Sequence, residues 1–376
     1  MLAQRADRLR GAWPAGVTAF AAADPAAVRW LTGLAGEGHA LYGNSPLWAV
    51  VGPEGAAVPV VPASELAWVE ERVGLAAVRP YGRFVFSGRG LGADAPPLEA
   101  VLRATLDALG AGEAVGVDDG VSYPEGERLA EALAPRRLVA CPGAPLRARR
   151  RRDEAELDVL RRVNRIAEDA VLAAIEAMRP GVTERELLAR VRGAMIERGA
   201  RPMLGSVGIA ERGALVDTAA TDRALARGEP VRFDVGCVLD GYHADLSRTA
   251  VLGPPPDWMR DAYGALLAGE RAAIDGARPR ATAAELYAAA VQATRAAGLA
   301  DYDRTHCGHG IGLRIYEPPL VAPGHDEPLE PGMTLCLETP LYRLGAAGLQ
   351  VEDAVVVTPA GGERLGKAPQ DLVVVD

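Results

Sequence analysis

Acidic residues set within strand-like stretches are the first feature of this sequence that could do chemistry. Asp234 and Asp245 stand in the segment Asp234-Val-Gly-Cys-Val-Leu-Asp-Gly-Tyr-His-Ala-Asp245, on either side of Asp240-Gly241. Asp-Gly favours a two-residue hairpin turn, whose central positions both need positive φ. With that turn as the loop, Leu239 faces Tyr242 and Asp234 faces Ser247. Asp245 then lies diagonally across from Asp234 on one face, about 7–8 Å away at the backbone. Two carboxylates so held repel each other unless a cation sits between them. A divalent metal is the usual answer. A hairpin with its acids on a solvated face is the alternative that this segment alone leaves open.

Three further residues have the types a metal would need. His309 sits in Gly308-His309-Gly310-Ile311-Gly312, where glycines let the backbone approach a ligand or another strand closely. Glu338 follows Met333, Leu335 and Leu337, which alternate with Thr334 and Cys336. Glu352 lies in Gln350-Val351-Glu352-Asp353-Ala354-Val355. An acid inside an otherwise apolar strand is costly to bury without a partner. Taken singly, the histidine also reads as an ordinary core or surface residue.

The elements around these residues fall into two halves. Val50-Val51, Val58 to Val61 and Phe84 to Phe86 read as strands, and Ala100 to Leu109 and Glu125 to Leu133 as helices, so the first half predicts an α/β layer domain. Cys141-Pro142-Gly143-Ala144-Pro145 and the basic run Arg147 to Arg152 mark a boundary, with domains expected at 1–146 and 147–376. The basic run reads as the solvated start of a helix rather than a nucleic-acid patch. The next helix has Leu157, Leu160, Val163, Ala167, Val171, Ala174, Ile175 and Met178 on one face and is stopped by Pro180-Gly181. Thr183 to Glu186 form a capping box for its successor. From Val231 onward, strands (Val231, Phe233 and Val235 alternating with Arg232 and Asp234; Met333 to Glu338; Val355 to Val357) enclose helical stretches at Asp257 to Gly276 and Thr282 to Ala297. The second half is α+β, with a strand-built site flanked by helices.

Composition narrows the function classes. Of 376 residues, 49% are hydrophobic, enough for a sizeable core, and the net charge of -9 argues against a nucleic-acid binder. No apolar run reaches the roughly 18–20 residues that span a bilayer, and Met1 to Arg10 lacks a signal-peptide core, so a cytoplasmic protein with no membrane partner is expected. Cys141, Cys237, Cys307 and Cys336 form no CxxC pair. They are expected to be reduced and mostly buried, with Cys237 and Cys307 serving packing.

In order along the chain, these motifs resemble the pita-bread family of methionine aminopeptidase, aminopeptidase P, prolidase and creatinase. The resemblance rests on Asp234 and Asp245 with Gly-Tyr before the second and Ser-Arg-Thr after it, then Gly-His-Gly, Glu-Pro-Gly-Met with Glu338, and Val-Glu-Asp. Arg-Pro-Gly-Val-Thr-Glu at 179–184 and Thr221-Asp222-Arg223 fit as well. Trp30-Leu31-Thr32-Gly33-Leu34 resembles the creatinase and prolidase branch, which carries an extra N-terminal domain. The resemblance implies a pita-bread catalytic domain behind a smaller creatinase-like α/β domain. It implies a homodimer and two divalent ions, Mn or Co first, else Zn or Fe. Asp234 would chelate one ion, His309 and Glu338 the other, with Asp245 and Glu352 bridging. Hydrolysis of a peptide or amide C–N bond, Xaa-Pro peptidase-like, would follow from a metal-bridging hydroxide, with Glu338 passing the proton to the leaving nitrogen.

The sequence departs from the family at places that matter. Tyr316, in Tyr316-Glu317-Pro318-Pro319, stands where the peptidases have a histidine, and Asp217 stands where they have another. Both histidines normally donate hydrogen bonds to substrate or intermediate, and losing such a donor commonly costs about 10²–10³ in rate. Gln350 replaces the arginine of aminopeptidase P and prolidase, as in methionine aminopeptidase. Three functions stay open. Tyr316 supplies the missing donor in a peptidase. Alternatively, the chain is a hydrolase or lyase of a small amide or amine, with Asp217 binding a cationic group. In the third, it is a silent binding domain. Tyr316, Asp217 and Glu338 are the candidate catalytic residues. His306 and Gln350 are candidate substrate contacts, with a structural role the alternative for His306. His243 is expected to face away from the aspartates, and His39 and Tyr42 to lie on a loop that could reach a partner subunit.

Overall fold

The computed structural model describes residues 1–34, 46–87 and 92–376; His39 and Tyr42 lie outside them. The chain forms two compact units, Met1–Arg149 and Arg150–Asp376. This division falls slightly after the expected 146/147 boundary. Ala144–Arg149 is a short helix, and Arg149, fully buried, lies 3.7 Å from Asp24, so the start of the basic run belongs to the first unit.

Among the described residues, the first unit has a six-stranded sheet with the order β4-β3-β2-β1-β7-β8. Its strands are β1 (Ala19–Ala22), β2 (Trp48–Val51), β3 (Val58–Pro62), β4 (Arg79–Tyr81), β7 (Ala114–Val117) and β8 (Arg137–Ala140). A separate two-stranded ribbon, β5 (Arg83–Val85) with β6 (Gly92–Asp94), takes in part of the strand expected at Phe84 to Phe86. Helices Leu98–Ala108 and Tyr123–Leu133 bury Leu102, Leu106, Leu129 and Leu133 in one core with Val50, Val60 and Val115 of the sheet.

The second unit is a nine-stranded sheet. Its order is β13 (Glu317–Leu320), β12 (Gly308–Gly310), β14 (Thr334–Arg343), β15 (Ala347–Thr358), β11 (Tyr242–Leu252), β10 (Pro230–Leu239), β9 (Arg201–Ile209), with β16 (Gly361–Arg364) on β15 and β17 (Val373–Val375) on β11. β10 and β11 form the expected hairpin: Leu239 pairs with Tyr242 and Asp234 with Ser247. Asp240 and Gly241 have φ of 51° and 81°, the left-handed values this turn requires.

Side-chain alternation assigns the two faces of this sheet. Val231, Phe233, Val235, Ala244 and Leu246 enter a core with helices Glu154–Ile175 and Glu184–Glu197. Leu335, Leu337, Leu349, Val351 and Val355 enter another with helices Asp257–Gly276 and Ala283–Ala296. The helices begin where their caps put them. Asp153 with Glu156, Thr183 with Glu186 and Thr282 with Glu285 each form a reciprocal capping box. The first helix ends at Ile175, short of Pro180-Gly181, and Met178 is buried beyond its end. With the helices holding one face, the residues between these apolar positions gather on the other. No helix among the described residues is long and apolar enough to cross a membrane.

Candidate metal centre

Asp234, Asp245, His309, Glu338 and Glu352 come from five adjacent strands, and all are buried. Glu338 pairs directly with Glu352, and Ser247 pairs with both Asp234 and Glu352. His309 pairs with Cys336. His309 Nε2 lies 3.5 Å from Asp245 Oδ2. Its other ring nitrogen, Nδ1, lies 3.0 Å from the Gly310 carbonyl oxygen, which leaves Nε2 facing the acids. The glycines around His309 answer to strands rather than to a ligand. A Cβ on Gly308 would collide with the Cys336 carbonyl, and one on Gly310 would crowd the carbonyls of Glu317 and Pro318.

The acids are tied together by hydrogen bonds. Gln350 Nε2 donates to Glu338 Oε2 and to Glu352 Oε2, both at 3.2 Å. Arg232, fully buried, donates through Nη1 to Asp234 Oδ2 at 2.7 Å and to Gln350 Oε1 at 2.8 Å. Its Nε reaches the Gly213 carbonyl at 2.7 Å, and Nη2 reaches the Leu215 and Val216 carbonyls at 2.9 and 2.7 Å and Ser206 Oγ at 3.3 Å. One guanidinium thus joins an acid of the cluster, the amide between two others, and the chain just before Asp217. Asp245 Oδ1 is buried with no hydrogen-bond partner among the described residues.

Electrostatics follow from this crowding. Burial pushes Asp234 up to about 7, against the pull of Arg232 and with the help of Asp245 and Glu338. Burial and the charges of Asp245, Glu338 and Asp234 raise Glu352 well above the usual carboxylate range. Burial would raise Glu338 too, but the His306 hydrogen bond and the charges of Arg304, His306 and His309 carry it below its ordinary value. Burial opposes the charged form of His309, and the neighbouring Asp245 outweighs it and raises the ring. A buried set of acids whose ionisation is this costly, with an orphaned carboxylate oxygen, fits divalent cations. Oxygen-rich donors with one imidazole suit Mn, Co, Zn or Fe.

The other predicted residues divide. His306 is beside the cluster, its Nε2 3.1 Å from Glu338 Oε1. Tyr316 stacks on His309, ring centroids 3.7 Å apart and planes 20° apart. Its hydroxyl makes no hydrogen bond to the described residues. Tyr316 is about half exposed, and its partial burial with the charges of Glu338, Glu352 and Asp245 raises its phenol, so it stays a donor. The loop behind Tyr316 is anchored by buried Arg152, which pairs with Glu317 and donates to the Ile311 carbonyl at 3.0 Å. Gln350 is buried, and its side chain is engaged with Arg232, Glu338 and Glu352. It therefore faces the acids. Asp217 is exposed, without an ion pair or hydrogen bond to the described residues. His243, two residues before Asp245, leaves β11 on the same face rather than the opposite one. Its Nδ1 lies 3.3 Å from the Gly312 carbonyl oxygen. Cys237 and Cys307 are core residues, as expected.

Three residues at the site carry no signal in the sequence reading. Arg232 alternates with core residues and looks like part of a wet face. Arg304, over the Tyr342 ring, and Cys336, 3.2 Å from Glu352 Oε1, were equally silent. For Cys336 the available clue is its position two residues before Glu338 on one strand.

Residues 158–359 match the model of metallopeptidase family M24, more than half of the chain. Over 263 residues the chain is 30% identical to the Xaa-Pro dipeptidase of Pyrococcus furiosus, a stretch covering 69% of this chain and 76% of that protein. The solved Xaa-Pro dipeptidase from Bacillus anthracis superposes with a TM-score of 0.85 over 100% of both chains, at 23% identity. Dipeptidase PepE from Mycobacterium ulcerans gives 0.79 at 29% identity, covering 100% of this chain and 96% of that one. The chain belongs to metallopeptidase family M24. It has the pita-bread fold and is a metallohydrolase.

Proposed function

We propose that the cluster holds two divalent ions and that the protein hydrolyses the C–N bond of a small Xaa-Pro-like peptide. The carrying observation is the convergence of four buried carboxylates and one imidazole, with Asp245 Oδ1 left without a partner. Asp234 would hold one ion, His309 and Glu338 the other, and Asp245 and Glu352 both. Mn or Co is the family expectation, with Zn or Fe as substitutes. When bound, such ions lower the pKa of a shared water and polarise the scissile carbonyl.

The chain's own residues do the rest. Glu338 Oε1, facing His306 Nε2, holds and passes the proton to the leaving nitrogen. Gln350 spaces Glu338 from Glu352. Tyr316, fixed against His309, offers its hydroxyl as the donor to substrate in place of a histidine. The setting that goes with this reading is a cytoplasmic homodimer behind a creatinase-like N-terminal domain. The relatives named Xaa-Pro dipeptidase support a dipeptide substrate. A second reading, a small cationic amide or amine, is favoured by one observation: Asp217 is exposed and unpaired among the described residues.

The test is to strip the protein of metal, reload it with Mn, Co, Zn or Fe, and assay Xaa-Pro di- and tripeptides alongside elemental analysis. Metal-dependent turnover above about 1 s⁻¹, the low end for ordinary enzymes, supports the peptidase. Two bound ions without cleavage shift the assignment to the small-molecule hydrolase. Loss of affinity for a cationic substrate in Asp217→Asn would then identify the residue that binds it. Failure to bind any ion sinks both.

A further inference from the structure

Cys336 has no metal-binding spacing in sequence, yet the fold carries it into the cluster. It stands two residues before Glu338 on β14, so its side chain leaves the same face, and it pairs with His309 on β12 and Ala354 on β15. It is fully buried. Its Sγ lies 3.2 Å from Glu352 Oε1 and 3.5 Å from the Asp245 carbonyl oxygen. The sulfur, one carboxylate oxygen each from Asp245 and Glu352, and a His309 ring nitrogen all lie within 4.8 Å of one another. Four donors around one ion, with bonds of about 2.0–2.3 Å to nitrogen, oxygen and sulfur, need only modest side-chain rotation to close that span. A second observation points to the same place. Asp245, a member of this group, keeps Oδ1 buried and unpartnered among the described residues.

We propose that Cys336 is a further ligand of the metal centre, making it a mixed thiolate, carboxylate and imidazole site that favours cobalt(II), zinc or iron(II) over manganese. The proposal rests on the metal reading above. Soft sulfur selects thiophilic ions, whereas an all-oxygen set with one imidazole accommodates manganese. On binding, the S–H bond breaks and its electron pair goes to the ion. The proton leaves to solvent, and nothing is oxidised or reduced. The hydrogen bond from Cys336 to Glu352 Oε1 is given up in exchange.

The experiment is a cobalt(II) titration of the metal-free full-length protein, with bound cobalt counted and the near-ultraviolet spectrum recorded at each step. The expected result is a sulfur-to-cobalt charge-transfer band that grows with the bound ion and is missing from Cys336→Ser. Serine keeps a donor toward Glu352, so the comparison isolates the sulfur. In the same variant, zinc affinity read by chelator competition should fall about 10–100-fold or more, at or beyond the loss typical of an outer-shell change, with manganese affinity unchanged. Cobalt bound without the band overturns the thiol assignment and leaves the metal centre standing. No bound cobalt at all removes both. If the variant does not fold, the wild-type spectrum alone decides.

Discussion

Arg232→Met in the metal-free protein tests how the acids are held. The guanidinium is fully buried and donates to Asp234, Gln350, Ser206 and the carbonyls of Gly213, Leu215 and Val216. Methionine fills much of the same volume, so the cavity contribution is small, and the loss is polar. Breaking a buried pair by removing one partner costs about 3–5 kcal/mol. Each carbonyl that water cannot reach adds about 1 kcal/mol or more. In the variant, however, the carboxyl of Asp234 loses the lowering effect of Arg232 and takes up a proton instead of standing as a bare charge, so the unsatisfied polar groups set the loss, expected at about 3 kcal/mol in urea unfolding at pH 8. With divalent metal bound, Asp234 has a second cationic partner and the loss should be smaller. The thermodynamic cycle then requires the folded variant to bind metal more tightly by the difference. About 2 kcal/mol would be roughly 30-fold in affinity. A metal-free loss below about 1 kcal/mol would refute the reasoning. So would a variant that loses as much with metal as without it.

The remaining predictions concern protons and donors. In the metal-free protein, Asp234 at about 7 and Glu352 well above the usual range mean that the folded state keeps protons the unfolded chain has already released. That stability is fully present below about pH 4 and is lost as pH rises toward 7. Asp234 alone accounts for up to about 4 kcal/mol. Urea midpoints should fall between pH 5 and 8, and added metal should raise the midpoint more at pH 8 than at pH 5; a flat metal-free profile would contradict this. Because His306 helps to hold Glu338 down, His306→Ala should move the acidic limb of kcat/KM to higher pH, and an unmoved limb would remove His306 from the proton path. Tyr316→Phe should lower kcat on an Xaa-Pro dipeptide by about 10²–10³ if the hydroxyl serves as the donor. An unchanged kcat would leave Tyr316 only its stacking on His309.

The hairpin was legible because Asp240-Gly241 admits few turns and its register fixes which residues share a face. The capped helices were legible for a similar reason: Thr183 with Glu186 is a local signal that tertiary packing did not override. Arg232 was not, because alternation says which face a residue takes but not whether that face is covered. Here β9 and the turn Ala210–Ala214 lie nearby, and Gly213 and Gly348 approach backbone to backbone, which closes off what reads as a wet face. β9, with Pro202, Gly205 and Gly208 in its span, has no strand-like pattern. Cys336 was not legible because no second cysteine stands at a metal-binding spacing from it and its neighbours in the cluster come from other strands.

β15 carries a further consequence. Nearly every residue from Ala347 to Thr358 is buried, so apolar patterning cannot fix its register the way it does for a strand with one wet face. Two consecutive acids point to opposite sides. Glu352 turns toward the cluster, and Asp353 turns to Arg248 at 2.8 Å, Arg364 at 3.0 Å and Gln370 at 2.9 Å. A slip of one residue would place Val351 in the site with Glu352 before the arginines, or Asp353 in the site with Ala354 before the arginines, so either slip strips one side of its carboxylate. Asp353 with Arg248 and Arg364 therefore adds a polar constraint on register that the apolar pattern of this strand cannot supply.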